Sequence, residues 1–346
     1  MRVAVWGTGN MGRAGIRAVV AHPELELVAV IGRSLAGQDA GFVAGLDHLG
    51  VTVSPDVPGD LDAVAYMASG DVRPDDAAKD IAGCLRGGAV VVTPSIYALY
   101  DPTSAPSSLR GPLEDAASEG GSALFVSGID PGWGNDLLPV LLTGVATTVT
   151  QVRCQEIFDY STYDQPDAVR NSVGMGGSMD EVPIMVAPSI PTMIWGGQLR
   201  MMARALGVEL DDIREHVERR ALDEDVTNAM GLFAKGTQGG LRFEIQGIVD
   251  GEVKLVVEHV TRIHPSVAPD WPSPADGGAG AHVIVIEGRP RIVVTVGAED
   301  EGGNRAAGGN ATAAARLVNA IPWLRAARPG LYDALDVPLS PAVGKL

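Results

Sequence analysis

Apolar residues change their spacing several times along the chain, and each change predicts an element. Residues 2–6 form a β-branched apolar run, residues 7–12 break it with glycines, and residues 13–22 carry apolar side chains at helical spacing. The next elements alternate between strand and helix patterns. We expect strands at 25–31, 63–67, 89–93 and 123–127 and helices at 75–86 and 108–119. Strands separated by helices predict a doubly wound, parallel Rossmann sheet of the α/β class.

The pattern changes after Gly132. A long strand pattern, a glycine- and proline-rich stretch and two further strand-rich segments predict an α+β domain with a mixed sheet. We expect a strand at 148–160, a helix at 195–207, strands within 241–263 and 281–297, loops at 265–280 and 298–309, and a helix at 310–324 that ends near Pro322. The last helix should return to the first domain and cover its sheet. The predicted domains are therefore 1–135 with 308–346 for the dinucleotide, and 136–307 for substrate binding and dimerisation.

Charge and composition narrow the function. The chain has 46% apolar residues and 43 acidic against 26 basic side chains, a net charge of −17. A core can form, and a partner that needs a basic face, such as nucleic acid or an anionic membrane, is not expected. No run of about 18 apolar residues predicts a membrane span, and no signal-peptide layout is expected. With two cysteines in 346 residues, we expect a reducing, cytoplasmic location.

The glycine break has the pattern of a dinucleotide site. Gly7, Thr8, Gly9, Asn10, Met11 and Gly12 read G-x-G-x-x-G, directly after a strand pattern and at the start of a helix pattern. The first glycine allows a tight turn, the second lets a pyrophosphate approach the backbone, and the third lets helix and strand pack closely. The helix N-terminus then offers N–H groups and a partial positive charge to the phosphates.

The residues at the end of the second predicted strand favour NADP(H) as the cofactor. NAD(H) stays possible. An NAD site usually has an acidic residue about 20 positions after the glycines. Here the chain has Arg33 and Ser34, which suit a 2′-phosphate, and Arg13 could assist. We expect the nicotinamide against small residues at later strand ends, namely Ala68, Ser69, Thr93 and Pro94.

Two further motifs carry a resemblance to a known group. Residues 127–133 read SGIDPGW, and residues 318–322 near the end read VNAIP. Together with the glycine turn they resemble the dihydrodipicolinate-reductase-like NAD(P)-dependent oxidoreductases, close to 2,4-diaminopentanoate dehydrogenases and native amine dehydrogenases. The resemblance implies a Rossmann domain, an α/β substrate domain that usually dimerises, and reduction of an imine or oxidation of a primary amine. The small-molecule partner would then be an amine or a ketone.

The sequence departs from that group in two places. It lacks the His-His and lysine signature of true dihydrodipicolinate reductases, so lysine biosynthesis is not expected. It also lacks the glutamate that amine dehydrogenases of the group usually have near the position of Ile96 or Tyr97. The proton acceptor must then lie elsewhere, or the reaction differs.

Four residues are candidates for proton transfer. Tyr97 and Tyr100 follow a strand end, and Asp130 replaces the group's asparagine in the SGIDPGW turn. Glu156 stands beside aromatic residues, an environment that raises a carboxyl pKa and suits acid–base work, and it is our first choice for the displaced base. Packing tyrosines, a turn-forming aspartate and an edge-of-sheet glutamate remain the alternative interpretations.

Aromatic and methionine side chains at the end of the first domain and within the second predict an apolar substrate wall. The candidates are Trp133, Tyr160, Met175 and Trp195, each of which equally fits core or dimer packing. His259 and His264 have no third ligand at suitable spacing, so no metal is expected. Two other functions stay open: an NADPH-dependent carbonyl or alcohol oxidoreductase, and a non-catalytic NADP(H)-binding sensor.

Overall fold

The computed structural model describes residues 1–70, 73–163 and 165–345. It divides into two compact units: unit 1 comprises Met1–Trp133 and Gly309–Leu346, and unit 2 comprises Gly134–Gly308. Among the described residues, none of the helices combines the length and the hydropathy needed to cross a bilayer.

The elements alternate in the first part of the chain and become strand-rich in the second. The first part contains β1 (Arg2–Trp6), α1 (Asn10–Val20), β2 (Glu26–Ile31), α2 (Ala40–Ala44), β3 (Val53–Ser54), β4 (Ala63–Tyr66), α3 (Pro74–Arg86), β5 (Val90–Thr93), α4 (Ser107–Gly120) and β6 (Ala123–Val126). Unit 2 contains α5 (Leu137–Thr143), β7 (Thr148–Asp159), α6 (Ile190–Leu206), β8 (Asp212–Ala221), β9 (Val226–Asn228), β10 (Gly231–Phe233), β11 (Gln238–Val249), β12 (Glu252–Arg262), β13 (Gly280–Arg289) and β14 (Ile292–Val296). The chain ends with α7 (Arg305–Ala326), which belongs to unit 1 from Gly309 onwards, and β15 (Gly330–Tyr332).

Unit 1 is built on a parallel sheet of seven strands in the order β15-β6-β5-β4-β1-β2-β3. Helices cover both faces. Val3 and Val5 of β1 share a core with Leu317 and Ile321 of α7, while α3 and α4 pack on the other face. The predicted Rossmann fold is confirmed, as is the return of the last helix to cover this sheet.

Unit 2 contains a six-stranded mixed sheet in the order β14-β13-β7-β12-β11-β8. β7 and β12 run parallel, and the other neighbouring pairs are antiparallel. One face of the sheet joins α6 in a single hydrophobic core, to which Ile245, Val257, Ile284 and Leu199 contribute. The predicted mixed sheet of an α+β domain is confirmed.

Several elements differ from the sequence expectations, among them α6, which starts at Ile190 and not at residue 195. α7 starts at Arg305, inside the predicted loop 298–309, and continues past Pro322 to Ala326. Leu324 is fully buried against the sheet of unit 1, and this burial outweighs the backbone hydrogen bond that Pro322 cannot make. The edge strand β8 was not predicted, because charged residues fill it and its apolar signal is weak.

Candidate active site

The glycine turn connects β1 to α1 and leaves open space for a ligand. Gly7 has φ +123°, and a Cβ there would lie 2.9 Å from the carbonyl carbon of Met67. A Cβ on Gly12 would lie 2.1 Å from the Gly7 oxygen, whereas one on Gly9 would meet nothing within 4 Å. The first and third glycines are thus needed for packing, and the second leaves room for a phosphate. α1 has no side-chain cap and no acidic residue in its first turn, which suits an anion at its N-terminus.

The candidate 2′-phosphate residues lie next to this turn. Arg33 and Ser34 are exposed and follow Gly32, where a Cβ would lie 2.8 Å from Thr8 Cγ2. Arg13 is exposed on α1. Within the described residues, neither arginine forms an ion pair. Both guanidinium groups can therefore meet an anionic ligand without breaking an internal contact.

The predicted residues at the later strand ends are also brought together. Ser95 Oγ donates a hydrogen bond to the carbonyl oxygen of Ala68, and a Cβ on Gly70 would lie 2.0 Å from the Ser95 oxygen. The Thr93 side chain is buried and accepts a hydrogen bond from the Ser95 N–H at 3.0 Å. The loops after β4 and β5 thus pack on each other at the carboxyl edge of the sheet, where Rossmann folds hold their ligands. Cofactor contact by Ala68, Ser69, Thr93 and Pro94 stays a prediction.

The unit 1 candidates for proton transfer lie in different environments. Tyr97 and Tyr100 form a short 3₁₀ turn; Tyr97 is half-buried, and the buried Tyr100 donates from its hydroxyl to the Pro94 oxygen at 3.2 Å. Asp130 is half-buried and precedes a cis proline, Pro131. Trp133 donates from Nε1 to Thr312 Oγ1 of α7 at 3.3 Å. Tyr100 and Trp133 therefore have clear packing roles, and catalytic or substrate roles for these residues stay predictions.

In unit 2 the structure surrounds Glu156 with two histidines that the sequence analysis did not connect to it. Glu156 is on β7, and the strand registers place His259 of β12 and His282 of β13 directly opposite it. His282 Nε2 lies 3.3 Å from Glu156 Oε2, and His259 Nδ1 lies 3.8 Å from Glu156 Oε1. The two imidazoles are each 6% exposed and the carboxylate is 16% exposed. A carboxylate that retains some access to solvent thus lies between two almost buried rings.

Aromatic rings pack around these histidines. The His259 ring stacks on Phe243 with centroids 4.6 Å apart and an interplanar angle of 4°, and the Trp195 ring lies 4.4 Å from His259. Phe158 meets His282 edge-on at 5.4 Å. These rings contact the two histidines, and an aromatic environment for Glu156 itself stays a prediction.

Three predicted substrate residues of unit 2 lie at different depths. Met175 and Trp195 are buried in the core of the unit, and Trp195 contacts His259. Tyr160 is half-buried and packs on Tyr163 with ring centroids 4.7 Å apart. Burial, and then the negative charge of Glu156, raise the pKa of the Tyr163 phenol. Substrate contact by these residues stays a prediction.

The sequence held a signal that could have found the histidines. His259 and His282 lie on the same faces of their strands as Val257 and Ile284, which contribute to the hydrophobic core. Period-two alternation places them on the core face, but only the register of three strands brings them to Glu156. His264, which is nearer to His259 along the chain, has an exposed ring whose Nδ1 lies 2.7 Å from Ser266 Oγ.

The donor types at Glu156 are also those of metal sites, because carboxylate and imidazole groups bind divalent transition metals. His282 Nε2 lies at hydrogen-bond distance from Glu156 Oε2. The expectation that no metal is required stays a prediction.

Comparison with known proteins gives the family. Residues 135–345 match the model of the 2,4-diaminopentanoate dehydrogenase C-terminal domain, and residues 1–72 match that of the dihydrodipicolinate reductase N-terminus. An amine dehydrogenase of Streptomyces virginiae is 64% identical, over 99% of this chain and 97% of its own length. A 2,4-diaminopentanoate dehydrogenase of Acetoanaerobium sticklandii is 25% identical, over 99% of this chain and 95% of its own length.

A solved structure agrees on the fold. The amine dehydrogenase from Mycobacterium smegmatis superposes with a TM-score of 0.77 at 22% identity, covering 99% of this chain and 97% of that one. The resemblance inferred from the glycine turn and the SGIDPGW and VNAIP motifs is confirmed. The chain therefore belongs to the family defined by the 2,4-diaminopentanoate dehydrogenase C-terminal domain, joined to a Rossmann unit of the dihydrodipicolinate reductase type.

Proposed function

We propose that this chain is an NADP(H)-dependent oxidoreductase that transfers a hydride between nicotinamide and the C–NH₂ or C=N bond of a small, partly apolar molecule. The observation that carries the proposal is the 64% identity, along nearly the whole chain, to an amine dehydrogenase. At this identity, a relative that matches end to end supports the same class of reaction.

The geometry of unit 1 supports a nicotinamide nucleotide, and its exposed arginines support NADP(H). Gly9 leaves space for the pyrophosphate at the start of α1, and Arg33 and Ser34 would hold the 2′-phosphate with help from Arg13. When bound, the nicotinamide would accept or donate the hydride at the carbon that bears the nitrogen. NAD(H) remains the weaker alternative, since no acidic residue follows β2 at the usual place.

Glu156 would supply the acid–base chemistry. In amine oxidation the carboxylate takes a proton from the substrate ammonium, which leaves the neutral amine able to release a hydride. After hydride transfer the carboxyl releases this proton to solvent, and the carboxylate takes a proton from the water that attacks the iminium carbon. It passes that proton to the carbinolamine nitrogen, and ammonia leaves as the hydroxyl proton returns to the carboxylate and the C=O bond forms. In the reductive direction the protons move the opposite way. The partial exposure of Glu156, beside two nearly buried rings, supports this role.

The proposal predicts ammonia-dependent turnover that needs Glu156. Purified protein should oxidise NADPH with ammonia and a panel of small apolar ketones and aldehydes, and reduce NADP⁺ with the corresponding amines. The Glu156→Gln variant should lower kcat about 10²- to 10⁴-fold, because the amide cannot accept the proton. Absorbance at the NADPH band measures the steady-state rates of the wild-type protein and of the variant. Fluorescence titration should show that Glu156→Gln binds NADPH with unchanged affinity.

The matched control is Glu252→Gln, which removes an exposed carboxylate of the same sheet. It should keep wild-type kcat. Absence of turnover with every imine, amine and carbonyl tested would contradict the proposed reaction. A rate independent of ammonia would indicate a carbonyl reductase, and NADPH binding without hydride transfer would indicate a sensor. Full activity of Glu156→Gln would remove that residue from the mechanism.

We also propose that the chain forms a homodimer through unit 2. One face of its sheet presents Val285, half-buried, next to Val293 of the edge strand β14, which is 49% exposed. Exposed apolar side chains on a sheet edge favour association with another protein surface. A reducing cytoplasmic location is consistent with Cys84 and Cys154, which are both buried and neither of which is in a disulfide.

A further inference from the structure

The two oxygens of Glu156 have different surroundings. Oε2 lies 3.3 Å from His282 Nε2, within hydrogen-bond distance. Oε1 lies 3.8 Å from His259 Nδ1, which is beyond it. One oxygen therefore has an imidazole nitrogen at hydrogen-bond distance, while the other does not.

The His282 ring has a fixed orientation. Phe158 meets it edge-on at 63°, and the Phe158 ring itself lies over Gly280, its partner in the strand register. A Cβ on Gly280 would lie only 2.3 Å from Phe158 Cδ1. The missing side chain at Gly280 thus lets Phe158 pack close to β13 and support the His282 imidazole.

We propose that His282 is a positioning residue for Glu156. Its Nε2–H donates to Glu156 Oε2, which fixes the carboxylate and turns Oε1 towards the proton it accepts. Because imidazole donates from one nitrogen when neutral, His282 then carries its proton on Nε2 and leaves Nδ1 as an acceptor. The step moves one proton from the substrate ammonium, or from the attacking water, to Oε1. It involves no oxidation or reduction. This inference rests on the proposed role of Glu156.

Two variants distinguish hydrogen-bond donation by His282 from the packing of its ring. His282→Met fills similar volume but has no N–H, whereas His282→Gln has an amide N–H near the position of Nε2. We expect kcat of His282→Met to fall about 10- to 100-fold, the usual effect of losing a hydrogen bond to a charged group, with KM for the ketone within about twofold. His282→Gln should recover most of kcat. The control is His264→Met at an exposed histidine, which should behave as wild type.

A spectroscopic measurement tests the same claim in the unaltered protein. Nitrogen chemical shifts of ¹⁵N-labelled histidine, assigned with the His282→Gln variant, report which ring nitrogen carries hydrogen. We expect a protonated Nε2 in His282. A bare Nε2 would overturn the proposal, even if His282→Met fails to fold.

The outcomes distinguish this inference from the proposed function. If Glu156→Gln keeps full activity, the proposed base is wrong and His282 has nothing to position. If Glu156→Gln loses activity while His282→Met keeps wild-type kcat, or His282→Gln is as slow as His282→Met, the positioning role alone is wrong. Loss in His282→Met with recovery in His282→Gln supports both.

Discussion

Arg33 immediately follows Gly32 at the end of β2, and its guanidinium is exposed beside the glycine turn. A planar guanidinium pairs well with phosphate oxygens, while the ribose hydroxyl of NAD offers it no negative charge. At the scale of one residue, the preference between the two nucleotides therefore depends on this side chain.

Removing the arginine should change the preference between nucleotides. In Arg33→Ala, KM for NADPH should rise about 10- to 100-fold through loss of a charge-assisted hydrogen bond, and KM for NADH should change less than threefold. Initial rates with each nucleotide measure this. Arg328→Ala is the control, because Arg328 precedes β15, whose first residue pairs with Ala123 at the start of β6. An equal rise in KM for both nucleotides would mean that Arg33 does not bind the 2′-phosphate.

The residues of the site were predicted unevenly. The glycine turn could be read from sequence, because its ligand-facing groups are consecutive and their backbone demands are local. Glu156 was selected from its aromatic neighbours along the chain. His259 and His282 were not connected to it, because 103 and 126 positions separate them and only strand register joins them.

At the scale of elements, the unit 2 sheet holds a network of charged side chains on the face opposite the hydrophobic core. Arg153 binds Glu244 at 2.7 Å and also Glu258, while Arg242 binds Glu258 at 2.8 Å and Glu218 at 3.0 Å. These contacts join β7, β8, β11 and β12. Burial would raise the pKa of Glu244, but hydrogen bonds from Arg153 and Gln246 and the arginine charges lower it overall.

The network predicts loss of stability in acid. The pKa of Glu244 in the folded state lies below its ordinary value of 4.5. The stability that this carboxylate contributes is therefore fully present above pH 4.5 and is lost as the pH falls below that value. Glu244→Gln should lower the free energy of unfolding by about 2 kcal/mol at pH 7, and its difference from wild type should shrink below pH 4.5. Urea unfolding at several pH values measures this.

The comparison variant for the network is Glu252→Gln, an exposed pair partner of Lys254 on β12. It should change stability little at either pH. A Glu244→Gln difference that stays constant from pH 7 to pH 3 would show that the network does not supply the pH dependence.

Strands that are buried on both faces of a sheet were predicted well, whereas strands at the edge of a sheet were predicted poorly. The strands at the centre of the unit 1 sheet are apolar throughout and could be located from sequence. The edge strands β8 and β15 and the last turn of α7 were missed, because partners distant in sequence hold them in place.

At the scale of the whole molecule, the net charge of −17 favours a protein that stays dispersed unless a specific surface associates. The half-buried and exposed valines of β13 and β14 are the surface that we propose for this role. An interface between two copies would bury them and exclude water from the neighbouring ion pairs.

Sedimentation velocity should show a dimer for the wild-type protein. Val293→Glu should shift the population towards monomer, because it adds negative charge to the proposed apolar contact. Val217→Glu on the opposite edge strand, where the valine is 37% exposed, is the control and should leave the dimer intact. A monomeric wild type would refute the dimer, and equal effects of both variants would place the interface elsewhere.

The sequence by itself determined the class of fold, the glycine turn and the family, because hydrophobic period, turn chemistry and short motifs act over a few neighbouring residues. Tertiary structure alone decided that Glu156 faces two histidines, that Phe158 packs over Gly280, and that α7 runs past Pro322. These features depend on strand register and on burial against distant partners. Such contacts are fixed only when the whole sheet has formed, so no local pattern encodes them.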